Sequence, residues 1–441
     1  MELLDKILDK CLRAGADMAE VYYQTERTLR ISVHDAKIET INKAAPSGLA
    51  IRYFSSGKTA FAHTTDLSDS AIDRLISSMR NLAVKTGEDK YAVLPSPQKY
   101  PENLQIDDKE YSCQPLETKI GYIQELERLA LGFDPLIVKS NSTWYAEYLT
   151  SKTIANSKGL NVTFDSTSYG LGVSVVAAKG EQMFPGEGKM WARRLADFPG
   201  PEKIAEIYAG RAARLVGGRP VNGGDYEIIF APRAANDILW GLRGALDGEN
   251  VYSGASFLVD KEGQKIASDN FSLYDDPLMP WGIGSCPADD EGVASAKQTL
   301  IENGILKGFL YDSRAAAKAG KVSTGSAKRE YYSSLPAISA SNFYIAPGST
   351  KVDDVIASCR KGIIVEIAQG WGLQAVSGQY SAGINGILVE KGKKIRPVAD
   401  VTVAGSAEDI FGGMGAICDD ITFYDQFNSP SLYVKRMTVG A

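Results

Sequence analysis

Two histidines, five cysteines and two short acidic runs are the side chains most able to ligate a metal or move a proton, and their spacing limits that chemistry. A catalytic zinc takes three protein ligands and keeps one position for water. Two ligands on one helix need i,i+4 or similar spacing to share a face. His34 and His63 have no such neighbour, so both read as ordinary strand or turn residues. Asp275 and Asp276 in YDDPLMPWG, and Asp289, Asp290 and Glu291 in CPADDEG, could hold a hard cation such as Mg²⁺ or Ca²⁺. Against that, adjacent strand residues point to opposite faces, and Asp beside Pro or Gly is common turn chemistry. Cys418, in GGMGAICDDITFY, is followed by two acids that raise rather than lower a thiol pKa. It stays open as a weak nucleophile if distant residues converge on it. Ser256, Ser285 and Ser326 have no GxSxG setting. Trp371, in AQGWGLQAVSGQYS, reads either as the wall of a peptide cleft or as a loop residue packed on the core.

The stretch DILWGLRGALDGEN, residues 237–250, has no chemistry of its own but is built unusually. Ile238, Leu239, Leu242, Ala245 and Leu246 make one broad apolar face at helical spacing. Trp240 sits beside Gly241 and close to Gly244, a large ring next to two bare backbone positions. Two glycines inside one helix cost stability, which points to a tight crossing against another element. The other reading is a bulky plug in a former or alternative active-site cavity. With the indole in the core, Trp240→Ala should cost roughly 3 kcal/mol or more.

These residues need a framework. The chain has 441 residues, enough for two domains, and a division near residue 219 is expected, giving 1–218 and 219–441. A helix at the N-terminus is followed by antiparallel strands to about residue 64, a helix over 68–83 and an irregular, proline-bearing stretch over 87–116. A helix near 117–131, strands to about residue 178 and a helix ending near residue 218 complete the first half. The second half opens with the strand YEIIFAP and the helix above, then runs through short strands and Gly-rich turns. The fold class is α+β: an N-terminal α/β domain with an antiparallel sheet, and a strand-rich C-terminal domain. No GxxxxGK[ST] or strand-led GxGxxG is present. A net charge of -6 without a basic run argues against nucleic acid. No apolar run reaches a membrane span. The five cysteines are widely spaced and lack a CxxC pair, which suits free thiols in the cytoplasm.

The segments GENVYSGASFL, SDNFSLYDDPLMPWGIGSCPADDEG, TLIENGILKGFLYDSRAAAKAG, SNFYIAPG and SAGINGILVEKGKKIRPVADVTVAG together resemble the TldD/PmbA family. Older descriptions name its members as modulators of DNA gyrase, later ones as peptidases. The resemblance implies dimers enclosing a proteolytic chamber, with unfolded peptide held by strand addition. In the TldD-like branch it implies zinc held by an HExxxH helix and a cysteine near the C-terminus. The PmbA-like branch, also called TldE, lacks that motif and pairs with the first. Laid on this sequence, the motif's first histidine falls on Trp240, its glutamate on Gly241 and its second histidine on Ala245. Cys418 falls near the third ligand, as a possible relic. None of the three helix positions can ligate zinc or carry a proton. The resemblance therefore implies a PmbA-like chain with no catalytic residue and no cofactor of its own, zinc belonging to a TldD-like partner. Homodimer and heterodimer both stay open.

Overall fold

The computed structural model describes residues 2–111 and 113–440. Its first half is a seven-stranded antiparallel sheet. Strands β1 (Met18–His34), β2 (Lys37–Ala44), β3 (Ser47–Ser55), β4 (Lys58–Thr64), β5 (Ile137–Asn156), β6 (Asn161–Lys179) and β7 (Gln182–Ala192) run in the order β4-β3-β1-β5-β6-β7, with β2 attached to β1. Helices α1 (Glu2–Arg13) and α2 (Asp69–Ala83) share an apolar cluster with β1 and β3, built on residues such as Leu4, Ile7, Ile51 and Ile76. Ser68 caps α2 by accepting from the Ala71 N–H. Helices α3 (Leu116–Leu131) and α4 (Pro201–Leu215) cover the β5–β7 end, where Ile123, Leu126, Leu171, Val173, Ala209 and Ala212 are buried together.

The strands continue to Ala192 rather than stopping near residue 178. Gln182–Ala192 contains Pro185, Gly186 and Gly188, residue types common in turns. Here they serve an edge strand, where a proline is tolerated, and a close helix. A Cβ on Gly188 would lie 1.7 Å from the Tyr208 ring, and one on Gly186 would lie 2.5 Å from Ala212 Cβ. The glycines let α4 settle directly on β7.

The second half is a closed barrel. Its strands are β8 (Gly224–Phe230), β9 (Lys361–Leu373), β10 (Gln379–Glu390), β11 (Lys393–Ser406), β12 (Met414–Ile417) and β13 (Leu432–Gly440). The order is β11-β10-β9-β8-β13-β12, and β11 pairs again with β13 from Thr402↔Gly440 to Ala404↔Thr438, which closes the ring. Closure removes the exposed edges an open sheet would present. Ile228, Phe230, Ile363, Val365, Val401, Val403 and Val434 point into the large core cluster of this half. Short strands in the region 273–345, joined by Phe427–Asn428, form a smaller five-stranded sheet beside it. One hairpin there turns on Asn303 and Gly304, both at positive φ (48° and 80°), the pairing that two-residue hairpins favour. Among the described residues no helix is long and apolar enough to cross a membrane.

The acidic runs help join the two halves. Asp290 pairs with Lys152 of β5 at 2.8 Å, and Glu291 with Arg52 of β3 at 2.8 Å. Arg52 also pairs with Glu20 of β1, and Arg329 reaches Glu20 at 2.6 Å. Every one of these groups except Lys152 is nearly sealed from solvent. Unpairing one would strand a charge in a poorly solvated place.

Candidate functional site

Helix α5 (Pro232–Ala245) follows β8 directly and lies against β9. Pro232 opens it, a position where a missing N–H costs nothing. Ile238, Leu239, Leu242, Ala245 and Leu246 are wholly buried. Gly241 is where the helix touches the barrel: a Cβ there would sit 2.0 Å from the Leu373 carbonyl oxygen. Gly244 is less confined, with Ala375 Cβ at 3.1 Å. Gly241 thus marks a close helix–strand contact, while Gly244 faces the turn that follows β9.

Trp240 is not in the core. Its residue is 56% exposed, and one face of the indole stacks on Phe427 with centroids 4.2 Å apart. The apolar stripe occupies one side of α5, and Asp237 and Trp240, three residues apart, share the other. Trp240 therefore forms part of the wall of a cleft of about 750 Å³. One side of the cleft is made by α4, β5 and β7, through residues such as Trp144, Tyr208 and Arg211. The other is made by α5 and the segment 420–429. Asp237, set against this wall, has its carboxyl pushed up to about 6 by lost hydration, which nearby Arg233 only partly offsets.

The remaining residues singled out in sequence do not meet here. Cys418 is fully buried in another cluster, with Leu215, Ile229, Val355 and Cys359. Burial, and then the acids Asp420 and Asp419, push its thiol up to about 12. That environment disfavours the thiolate needed for attack or metal binding. His34, at the end of β1, is within 3.1 Å of the Ser140 carbonyl oxygen through Nε2, and His63, on β4, lies near the rings of Phe61 and Tyr332.

None of the five carboxylates of the two acidic runs lines the cleft, and each is committed to backbone or cationic partners instead. Asp275 is buried and accepts from the Ser341 N–H at 2.7 Å; loss of hydration pushes it up to about 7. Asp276 accepts from the Leu278 N–H and faces Lys297 at 3.2 Å. Asp289 accepts from the backbone of Glu291, Val293 and Ala327, closing a turn. Burial and repulsion from Glu291 hold its carboxyl well above the usual range. Asp290 and Glu291 stay low, since their cationic partners outweigh burial. Trp371 also misses the cleft: it is 82% exposed on a bulge of β9 between Gly370 and Gly372, both at positive φ.

Among the described residues, no three His, Cys, Asp or Glu side chains converge as a metal-holding group. The α5 positions fit zinc no better. An indole, a bare backbone position and a buried methyl supply no ligand, and at Gly241 the barrel backbone fills the space a side chain would need.

The sequence reading missed Arg211, Arg233, Asn236 and Trp144 as cleft residues. The available signal was Arg211 itself, a charged residue on the buried side of α4 between Tyr208 and Leu215.

The chain thus joins an α/β sheet layer to a closed barrel, with α5 forming one wall of the cleft between them. Three consecutive family models match it: PmbA/TldA metallopeptidase domain 1 at residues 19–83, the central domain at 109–216 and the C-terminal domain at 223–441. The chain belongs to the PmbA/TldD family. It is 26% identical over 430 residues to Metalloprotease PmbA of Escherichia coli O157:H7, covering 96% of this chain and 92% of that one. It is 24% identical over 459 residues to a Metalloprotease TldD homolog of Buchnera aphidicola, covering 98% and 94%. Its fold matches TldE from Thermococcus kodakarensis with a TM-score of 0.90 across all of both chains, at 23% identity.

Proposed function

We propose that this chain is the non-catalytic or regulatory subunit of a cytoplasmic TldD-type metalloprotease complex. A TldD-like partner holds zinc and cleaves peptide; this chain contributes chamber wall, peptide contacts and stability. The observation that carries the reading is α5: where the family's HExxxH helix would present its ligands and base, this chain has Trp240, Gly241 and Ala245. A cleft lies beside α5, lined by aromatic and charged side chains, which suits holding a substrate without reacting with it. Family relatives with both PmbA and TldD names fit a two-component assembly. A self-paired scaffold is the variant reading if the chain proves to assemble only with itself.

The test is mixing. The purified chain, a zinc-bearing TldD-like family member, and both together are assayed on an unstructured protein, with their assembly followed by light scattering. The reading predicts a mixed complex that cleaves faster than the partner alone. Equal rates with and without this chain, or failure of the two to associate, would remove the subunit role.

A further inference from the structure

The α5 cleft contains polar atoms whose needs are complementary to those of a chain end. Arg211, on α4, is 8% exposed and lines the cleft. Its Nε and Nη1 have no hydrogen-bond partner, and the carboxylate facing it, Glu366, stands off at 3.7 Å. Glu366 is also shared with Arg214 at 3.4 Å. Arg233, in the first turn of α5, lines the same cleft, and its like charge works against Arg211. It spends one donor on the Glu187 carbonyl oxygen at 2.8 Å. Glu366 is thus divided between Arg211 and Arg214, and it leaves two donors of the buried Arg211 unpaired. A buried cation in that position favours an anionic guest.

A second atom narrows the class. Asn236 Oδ1, also buried on the cleft, accepts no hydrogen bond and so suits a donor. Asp237, Glu366, Asp420 and Asp425 line the same space and oppose a bare polyanion. A guest that offers one carboxylate together with N–H groups answers both observations, and a peptide end does this. The half-exposed indole of Trp240, stacked on Phe427, gives an apolar surface for the side chain beside that carboxylate.

We propose, resting on the peptide-handling role above, that the α5 cleft binds the free C-terminal end of an unfolded peptide, Arg211 and Arg233 taking its carboxylate and Trp240 its last side chain. The degenerate helix then reads a peptide's end where it does not cut.

The test is titration calorimetry on the full chain with three short unstructured peptides. One ends in phenylalanine with a free carboxylate, the second is its C-terminal amide, and the third is an amide ending in glutamate. Charge-assisted hydrogen bonds predict that the free acid binds about tenfold or more tighter than its amide. The glutamate amide should bind like the plain amide. Arg211→Gln should reduce the acid-to-amide difference to about twofold or less, since the amide never used those bonds. Should that variant not fold, as read by circular dichroism, Arg233→Gln carries the same comparison from a less buried site. Equal binding of acid and amide would overturn the chain-end site while leaving peptide binding intact. Glutamate amide binding as tightly as the free acid would reassign the cleft to side-chain carboxylates and overturn it too. Failure of every peptide to bind would overturn both this inference and the peptide-holding part of the subunit role.

Discussion

Gly241→Ala tests the packing of α5 at its tightest point. The added methyl would meet Leu373 at 2.0 Å from its carbonyl oxygen and 2.7 Å from its carbonyl carbon. Both atoms belong to barrel strand β9, so no flexible side chain can swing away. Relief requires α5 to lift from the sheet, loosening the wholly buried Ile238, Leu242 and Ala245. Overpacking of this kind costs about 1–3 kcal/mol, and rigid backbone places it at the upper end. Alanine recovers about 1 kcal/mol of helix propensity, leaving a net loss of about 2 kcal/mol. Gly244→Ala has the same propensity gain but meets only Ala375 Cβ at 3.1 Å, so its net effect should lie within about 0.5 kcal/mol of zero. Urea unfolding of the parent and the two variants, compared by midpoint at constant slope, measures the difference. Gly241→Ala as stable as the parent would refute the close-contact account of α5. So would a Gly244→Ala variant as damaged as Gly241→Ala.

Trp240→Ala should cost only about 1 kcal/mol in urea unfolding, the worth of one aromatic stack on a half-exposed ring; a loss near 3 kcal/mol would restore a core role. Arg329→Ala leaves Glu20 buried with Arg52 as its remaining ion partner in the inter-half network, and should cost about 3 kcal/mol or more in the same assay. Asp275, raised to about 7 by burial, keeps its proton in the folded chain at pH values where the unfolded chain has released it. Its contribution to stability is therefore full below about pH 4 and falls as pH rises through about 7; Asp275→Asn should flatten that decline in denaturation curves from pH 5 to 8, and an unchanged slope would contradict the assignment. Native thiol labelling should modify Cys113, the exposed cysteine, and spare Cys11, Cys286, Cys359 and Cys418 until denaturant is added; rapid labelling of Cys418 would contradict its inert burial.

Local pattern made much of this molecule legible. Apolar spacing marked α1, α2 and the inward face of α5, and of the two glycines Gly241 sits at the close crossing. Trp240 misled because ring size argues for burial while helical phase places it with Asp237 on the cleft side. The strand β7 was hidden because its glycines answer to α4, an element that follows it in the chain. The acidic runs showed turn chemistry, which Asp289 performs, but not their ion pairs, since Arg52 and Lys152 come from the other half of the chain. The cleft was least legible. Arg211, Arg233, Trp144 and Phe427 meet only after the sheet, the barrel and α5 have docked, and no spacing in sequence records that meeting.

The proposed subunit role requires that this chain hold no catalytic zinc of its own and depend on a partner for cleavage. Its most direct test is peptidase activity on an unstructured protein, measured with zinc content on the same samples: the chain alone after incubation with excess zinc and gel filtration, then the mixture with a TldD-like family member. The account predicts no stoichiometric zinc and no cleavage by the chain alone, with both appearing in the mixture in proportion to the partner. One zinc per chain with cleavage by the isolated protein, lost on chelation and restored by zinc, would contradict it.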